Sequence, residues 1–128
     1  MGESFKVFVT KDYLKFSAAH FIAYKGFREN LHGHNYRVRV HLRADRLDEL
    51  GMVLDFADLK GEVRSVLSRY DHRHWNDFLD YPTVENICQR LADELAARLA
   101  VPFTIRVYEG HAKWAETRGE PPAGAGQP

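Results

Sequence analysis

The stretch Asn35-Tyr-Arg-Val-Arg-Val-His-Leu-Arg-Ala44 decides the fold, because polar and apolar side chains alternate along its whole length. The large apolar side chains of the alternation share one face: Tyr36, Val38, Val40 and Leu42. Arginines and one histidine occupy the opposite face. This pattern predicts a strand that buries one face against a core and leaves the other uncovered, as antiparallel sheets commonly do.

Two amphipathic helices are predicted after this strand. Asp55 has the character of an N-cap residue, and apolar residues at helical spacing follow it over 56–70. Thr83 opens a second helix, whose apolar stripe runs at the same spacing to Leu99. Cys88 falls on this stripe, so we expect it to be a small core residue rather than a nucleophile.

Extended segments surround the helices. Residues 5–17 are mostly extended in character, and 103–108 form a strand whose hairpin partner is predicted at 112–117. The order strand, strand, helix, helix, strand, strand predicts an α+β domain with a four-stranded antiparallel sheet and both helices on one face. The uncovered face and the sheet edges favour closure of the sheet with other subunits.

Length and composition set further limits. The 128 residues suffice for one domain, predicted at 1–117, and the glycine- and proline-rich tail 118–128 is expected to be disordered. The 18 basic and 18 acidic residues balance, so no field of one sign favours nucleic acid or a membrane surface. A single cysteine and no visible secretory signal predict a cytoplasmic protein.

Directly before the alternating stretch, His32-Gly-His34 places two imidazoles close together, and His20 lies upstream. In an extended chain, side chains at i and i+2 leave the same face about 6.6 Å apart, so the two rings can converge on one ion. Three neutral imidazoles suit Zn²⁺ and leave a fourth coordination position open. We therefore expect His20, His32 and His34 to bind Zn²⁺, although His-x-His also occurs as an ordinary surface pair.

The segment after the first helix, Asp71-His-Arg-His-Trp-Asn76, contains two further candidates. An aspartate beside a histidine can orient the ring and raise its pKa, which produces a proton donor or relay. Adjacent residues need not touch, so Asp71 and His72 can also be neighbours by chance. His72 and His74 form a second His-x-His pair and a rival metal site.

Three other polar residues stand out, although each has an ordinary interpretation. Glu109 ends a predicted strand, where its carboxylate can accept two hydrogen bonds from an amidine-like ring edge or simply face solvent. Thr83 can be nothing more than the cap of the second helix. Glu29, in the loop before His32, is by default a solvated carboxylate.

Several motifs occur in one order over nearly the whole chain. They are Phe-Ser-Ala-Ala-His at 16–20, Leu-His-Gly-His-Asn-Tyr at 31–36, Gly-Met-Val-Leu-Asp-Phe-Ala-Asp-Leu-Lys at 51–60, Tyr-Asp-His at 70–72, Asn76, Pro-Thr-Val-Glu-Asn at 82–86 and Val-Tyr-Glu at 107–109. Together they resemble the 6-pyruvoyltetrahydropterin synthase and 6-carboxytetrahydropterin synthase family. Matched spacing of several motifs makes the resemblance highly specific.

The resemblance implies the tunnelling fold, in which three subunits close a barrel and two barrels stack into a hexamer, a dimer of trimers. It also implies that the three histidines bind Zn²⁺ and that the active site lies between subunits. It assigns a proton relay to Asp71 and His72. It further implies that Glu109 anchors the pterin ring, and we expect Thr83 to assist it.

One position departs from the commoner pattern of the family. Those synthases carry a catalytic cysteine four residues before the first histidine of His-Gly-His, where this chain has Arg28. Arginine stays protonated and cannot act as a general base. The next residue begins Glu29-Asn-Leu-His-Gly-His34, which is similar to the Glu-x-x-His-Gly-His variant of the family, so Glu29 becomes the expected base.

Members with this variant motif are associated with making 6-hydroxymethyl-7,8-dihydropterin, a folate precursor, from 7,8-dihydroneopterin triphosphate. We therefore expect a zinc-dependent lyase that acts on this substrate or a close relative. One alternative is synthesis of 6-carboxytetrahydropterin or 6-pyruvoyltetrahydropterin, with Glu29 in place of the cysteine. A second alternative is a non-catalytic subunit that binds zinc and pterin.

Overall fold

The structure, a computed structural model, describes residues 5–9 and 14–122. Its elements in chain order are β1 (Phe5–Val9), β2 (Lys15–His20), β3 (Ala23–Tyr24), β4 (Phe27–Arg28), β5 (His32–Ala44), α1 (Phe56–Leu67), β6 (Arg73–His74), α2 (Val84–Ala96), β7 (Phe103–Glu109) and β8 (Trp114–Gly119). A 3₁₀ turn, Trp75–Asp77, follows β6 directly. Within the described ranges, no helix is both long and apolar enough to cross a membrane.

Strand β5 is the centre of the sheet, because its 13 residues provide pairing positions for three neighbours. Along one side, β1 pairs with the C-terminal half of β5 and β2 pairs with its N-terminal half. Along the other side lies β7, which in turn pairs with β8. These pairs are antiparallel, whereas the two-residue β6 runs parallel to β2.

The α+β class is confirmed, but the prediction of a four-stranded antiparallel sheet is wrong. The main sheet has six strands and is mixed, and β3 and β4 form a separate hairpin. The predicted extended segment 5–17 contains two strands, because β5 is long enough to pair with both in tandem. Strand β6 is too short to produce a periodic pattern, so the sequence could not reveal it.

The core lies between the alternating face of β5 and the two helices, as predicted. Tyr36, Val40 and Leu42 are completely buried. Each helix contributes a buried apolar stripe to the same cluster: Leu59, Val63, Val66 and Leu67 from α1, and Ile87, Cys88, Leu91, Ala92 and Leu95 from α2. Burial raises the pKa of the Cys88 thiol to about 11, which suits a packing role.

Both predicted helix caps are present. The Asp55 carboxylate accepts a hydrogen bond from the Ala57 N–H at 2.7 Å, and the Thr83 hydroxyl accepts one from the Asn86 N–H at 3.1 Å. Each bond satisfies a donor that the first turn of a helix leaves unpaired. The Thr83 cap fixes where α2 begins, beside the histidines of the site.

Strand β8 extends to Gly119, beyond the domain end predicted at 117. Gly119 pairs with Phe103 of β7, and a side chain at Gly119 would collide with the Phe103 ring. Residues 118 and 119 therefore belong to the sheet and not to the predicted disordered tail. Within that tail, 123–128 lie outside the described residues.

Candidate active site

Strand pairing brings the three predicted metal ligands together. His20, the last residue of β2, lies opposite His32, the first residue of β5, and His34 follows on the same face. One nitrogen of each ring lies within 4.8 Å of the others. In the part of the chain that the structure describes, no other group of three histidine, cysteine or carboxylate side chains is placed to hold a metal.

Backbone carbonyls determine which nitrogen each ring offers. The Nδ1 of His20 lies 2.8 Å from the Pro82 carbonyl oxygen, and the Nδ1 of His32 lies 2.8 Å from the Asn30 carbonyl oxygen. A carbonyl only accepts, so Nδ1 carries the hydrogen in each neutral ring and Nε2 presents its lone pair. The two Nε2 atoms are 3.1 Å apart. Two lone pairs at this distance repel each other unless a cation lies between them.

His34 supplies the third nitrogen in a form that suits a metal. Its Nε2 is buried and has no hydrogen-bond partner in the structure. Burial lowers the pKa of His34, an effect that the nearby Glu109 carboxylate partly opposes, so the ring is neutral at pH 7. A buried nitrogen without a partner is rare and costly, whereas coordination would satisfy it. Three neutral imidazoles with this arrangement fit Zn²⁺.

The histidines line a cavity of about 520 Å³. Six of the eight predicted site residues line it together: His20, His32, His34, Glu29, Thr83 and Glu109. The remaining wall comes from Ile22, Val84 and Glu85 and from the β7–β8 hairpin, Ala112–Trp114. The cavity therefore combines a candidate metal centre with two of the predicted acidic groups.

The β3–β4 hairpin places Glu29 in the cavity. Its two turn residues, Lys25 and Gly26, have φ values of 51° and 79°, as a two-residue turn of type I′ requires. The Glu29 N–H donates to the Ile22 carbonyl at 2.9 Å, and the Ile22 N–H donates to Glu29 Oε1 at 2.9 Å. By contrast, the Arg28 guanidinium stacks 4.2 Å from the Phe21 ring centre and does not line the cavity.

Glu109 lies at the far end of β7 and closes the cavity beside the histidines. Its Oε1 is 3.6 Å from His34 Nε2 and its Oε2 is 3.9 Å from His20 Nε2. Burial and the Glu109 charge together raise the pKa of the adjacent Tyr36, whose buried hydroxyl stays protonated. The carboxylate is only 14% exposed, so it is already largely desolvated before a ligand arrives.

Asp71 and His72 touch each other but lie outside this cavity. Asp71 Oδ1 is 3.1 Å from His72 Nδ1 and also accepts a hydrogen bond from the Ser17 N–H at 2.9 Å. The His72 side chain is 83% exposed and faces a second depression along β2 and β5, which shares His34 with the cavity. His72 has a φ of 61°, a conformation that residues other than glycine rarely adopt.

The rival metal pair, His72 and His74, gains no third ligand. His74 Nδ1 is 3.9 Å from Asp77 Oδ1, and its ring lies beside Phe21 rather than beside the exposed His72. The only three-ligand group within residues 5–9 and 14–122 remains the one on β2 and β5. The structure therefore favours the site that the sequence ranked first.

Sequence reasoning missed the groups that hold the site in place. The Pro82 carbonyl orients His20, and the Asn76 side chain forms two hydrogen bonds with the Phe21 backbone. Both partners lie more than 50 positions away from their targets along the chain. No periodicity connects residues at such separations, so only the fold could reveal these contacts.

Comparison with known proteins agrees with this geometry. The family described as PTPS: 6-pyruvoyl tetrahydropterin synthase matches residues 9–120. The chain belongs to the 6-pyruvoyl tetrahydropterin synthase family. It therefore has the tunnelling fold of that family and is a pterin synthase-type lyase.

Two relatives and one solved structure illustrate the range of this family. A putative 6-carboxy-5,6,7,8-tetrahydropterin synthase from Archaeoglobus fulgidus is 43% identical over 103 residues, which cover 80% of this chain and 89% of that protein. A dihydroneopterin monophosphate aldolase from Pyrococcus furiosus is 34% identical over 99 residues, covering 75% and 84%. A Plasmodium vivax 6-pyruvoyltetrahydropterin synthase, with alanine replacing a catalytic glutamate, has a TM-score of 0.74 at 26% identity, covering 90% and 97%.

Proposed function

We propose that this protein is a zinc-dependent lyase that converts 7,8-dihydroneopterin triphosphate to 6-hydroxymethyl-7,8-dihydropterin. The observation that carries the proposal is Glu29: a glutamate, and not a thiol, enters the cavity beside the three histidines. A catalytic glutamate in the Plasmodium vivax relative and the aldolase name of the Pyrococcus furiosus relative support it.

The chemistry assigns a base and an acid. A hydroxymethyl product requires cleavage between the first and second side-chain carbons of the substrate. A base removes the proton from the hydroxyl on the second carbon, which leaves as an aldehyde that keeps the triphosphate, and an acid returns a proton to the first carbon, which stays on the pterin. Zn²⁺, held by His20, His32 and His34, would supply Lewis-acid polarisation of the side-chain hydroxyls.

Glu29 is the proposed base. One of its carboxylate oxygens accepts the Ile22 N–H, which leaves the other oxygen available to a substrate hydroxyl. Glu109 is proposed to accept two hydrogen bonds from the ring edge of the pterin, because its carboxylate is already confined at the cavity wall. Thr83 assists from the start of α2, where it lines the same cavity.

The proposed acid is His72, oriented by Asp71, and it comes from a neighbouring subunit. The pair is exposed on the uncovered face and lies outside the cavity of its own chain. A relay in that place is positioned to serve a cavity that another copy of the chain presents to it. We therefore propose a homo-oligomer in which subunits close a barrel, and a hexamer built as a dimer of trimers.

A second candidate product is 6-carboxytetrahydropterin. The Archaeoglobus fulgidus relative, with 43% identity, is named as a putative synthase of that compound. The fold, the metal ligands and the ring anchor would serve either product. Both products retain a single side-chain carbon, so the same carbon–carbon bond breaks, and they differ in the oxidation level of that carbon and of the pterin ring.

Product identification tests the proposal. We expect zinc-loaded protein incubated with dihydroneopterin triphosphate to yield 6-hydroxymethyl-7,8-dihydropterin, measured by mass spectrometry. Glu29→Gln should retain zinc and pterin but lose about 100-fold or more in turnover, the usual contribution of a general base. Glu62→Gln, which changes a surface glutamate paired with Arg98, is the matched control and should remain active.

Formation of 6-carboxytetrahydropterin or 6-pyruvoyltetrahydropterin, with Glu29→Gln unimpaired, would contradict the proposal. Binding of zinc and pterin without any turnover would instead support the non-catalytic alternative. The first two outcomes differ in the mass of the product and the third gives no product, so one experiment separates them.

A further inference from the structure

We infer that Asn76 is a positioning residue that holds the metal ligand His20 and the carboxylate of Glu29 in register with each other. Asn76 lies in the 3₁₀ turn that follows β6 and does not line the cavity. It acts on the site through a single backbone residue, Phe21. The link to Glu29 rests on the proposed function, whereas the link to His20 concerns zinc affinity alone.

The side chain of Asn76 takes the place of a strand partner. Strand β2 pairs with β6 at Ala18 and Ala19 and ends at His20, so Phe21 has no backbone partner in β6. Asn76 Oδ1 accepts a hydrogen bond from the Phe21 N–H at 3.0 Å, and Asn76 Nδ2 donates one to the Phe21 carbonyl at 2.9 Å. One amide group thereby satisfies both polar groups of the residue that follows the metal ligand.

The two hydrogen bonds lie on the peptide groups at either side of Phe21. The Phe21 N–H belongs to the peptide that joins it to His20, so the first bond fixes the backbone from which the His20 ring extends. The Phe21 carbonyl belongs to the peptide that joins it to Ile22. The N–H of that same peptide donates to Glu29 Oε1 at 2.9 Å.

A chain of hydrogen bonds therefore runs from Asn76 through one peptide group to Glu29. Donation to the carbonyl of a peptide polarises it and strengthens its N–H as a donor. Asn76 thus both fixes the direction of the Ile22 N–H and reinforces its bond to the Glu29 carboxylate. No other side-chain hydrogen bond in the described ranges reaches the backbone of Phe21.

Asparagine is required for this role because it donates and accepts at once. Aspartate, of nearly the same shape, keeps the bond from the Phe21 N–H but places a second oxygen against the Phe21 carbonyl. Alanine removes both bonds. Comparing Asn76→Asp with Asn76→Ala therefore separates the donated bond from the accepted one.

The first measurement is zinc affinity, obtained by competition with a chromophoric chelator. We expect Asn76→Ala to weaken zinc binding about tenfold, the lower end of the effect of groups that orient metal ligands, and Asn76→Asp to weaken it less, because aspartate still accepts from the Phe21 N–H. The control is Asp55→Ala, which removes the cap of α1 and lowers Tm without contacting the site. It should leave zinc affinity unchanged, so a loss of stability alone cannot imitate the result.

The second measurement is turnover at saturating zinc, where the affinity difference has no effect. We expect Asn76→Asp to lower kcat about tenfold with little change in KM, because Glu29 is misdirected while the pterin still binds. In a Glu29→Gln background the same change should have less than a twofold effect on kcat. Losses that multiply in the double variant would show that Asn76 does not act through Glu29.

The inference is overturned if Asn76→Ala matches Asp55→Ala in zinc affinity. The experiment also distinguishes it from the proposed function. If Glu29→Gln alone keeps full turnover, the assignment of Glu29 as base fails, and zinc affinity still decides the role of Asn76. If Glu29→Gln loses turnover and the Asn76 variants retain both zinc and turnover, only the role of Asn76 fails.

Discussion

Removal of one metal ligand should abolish stabilisation by zinc. The Nε2 atoms of His20 and His32 face each other at 3.1 Å, and the Nε2 of His34 is buried without a partner. In the metal-free protein, the lone pairs of His20 and His32 therefore repel each other and the His34 nitrogen is unsatisfied. A bound cation would remove both costs. Because the unfolded chain cannot present the three rings together, we expect zinc to bind the folded state and to raise its stability.

The size of the effect follows from mass action. At free zinc about 100 times Kd, binding stabilises the folded state by about 2.7 kcal/mol. Unfolding entropies of about 2.1 cal/mol/K per residue give about 0.27 kcal/mol/K for this 128-residue chain. We therefore expect Tm to rise by about 10 °C. His34→Ala retains only two imidazoles, so the increase in its Tm on addition of zinc should be below about 2 °C.

Differential scanning calorimetry of zinc-free protein, with and without added zinc, measures both shifts. His41→Ala is the matched control, because His41 lies on the same strand but on the opposite face of the sheet. It should keep the full rise in Tm. A full rise in His34→Ala, or an equal loss in both variants, would refute the assignment of the ligands.

Two further predictions concern the proposed reaction. Glu109→Ala should raise KM for the pterin more than it lowers kcat, because a group that anchors the ring binds the substrate and the transition state about equally. Steady-state kinetics measure both constants, and a fall in kcat larger than the rise in KM would contradict this role. Inactive Glu29→Gln and His72→Ala subunits, refolded together, should regain part of the activity if two chains share each site. No gain in a mixture shown to contain hybrid oligomers would contradict a shared site.

The sequence indicated the candidate metal centre because its three histidines are linked by local geometry. His32 and His34 share a face through the period of the strand that also buries Tyr36, so one pattern implied both core and ligands. His20 was placed by its motif, and the register of β2 against β5 explains why it arrives opposite His32. The helix caps were equally local, since each involves residues within one turn.

What the sequence could not predict depends on contacts between distant segments. Strand β6 has only two residues, and its parallel pairing with β2 follows from the course of the chain after α1. Asn76 reaches Phe21 across 55 positions because β6 places it there. Likewise, the sequence left open whether Asp71 and His72 touch, and both their contact and their place outside the cavity follow from the course of the chain after α1.

The direction of the Glu29 side chain depends on the backbone geometry at the end of the β3–β4 hairpin. Successive side chains along a strand point to opposite sides. Arg28 ends β4 with its guanidinium stacked on the Phe21 ring, so the next side chain turns toward the histidines. The carboxylate is then held by the Ile22 N–H. Glu29 lines the cavity and Arg28 does not, so we infer that the base of this chain is residue 29.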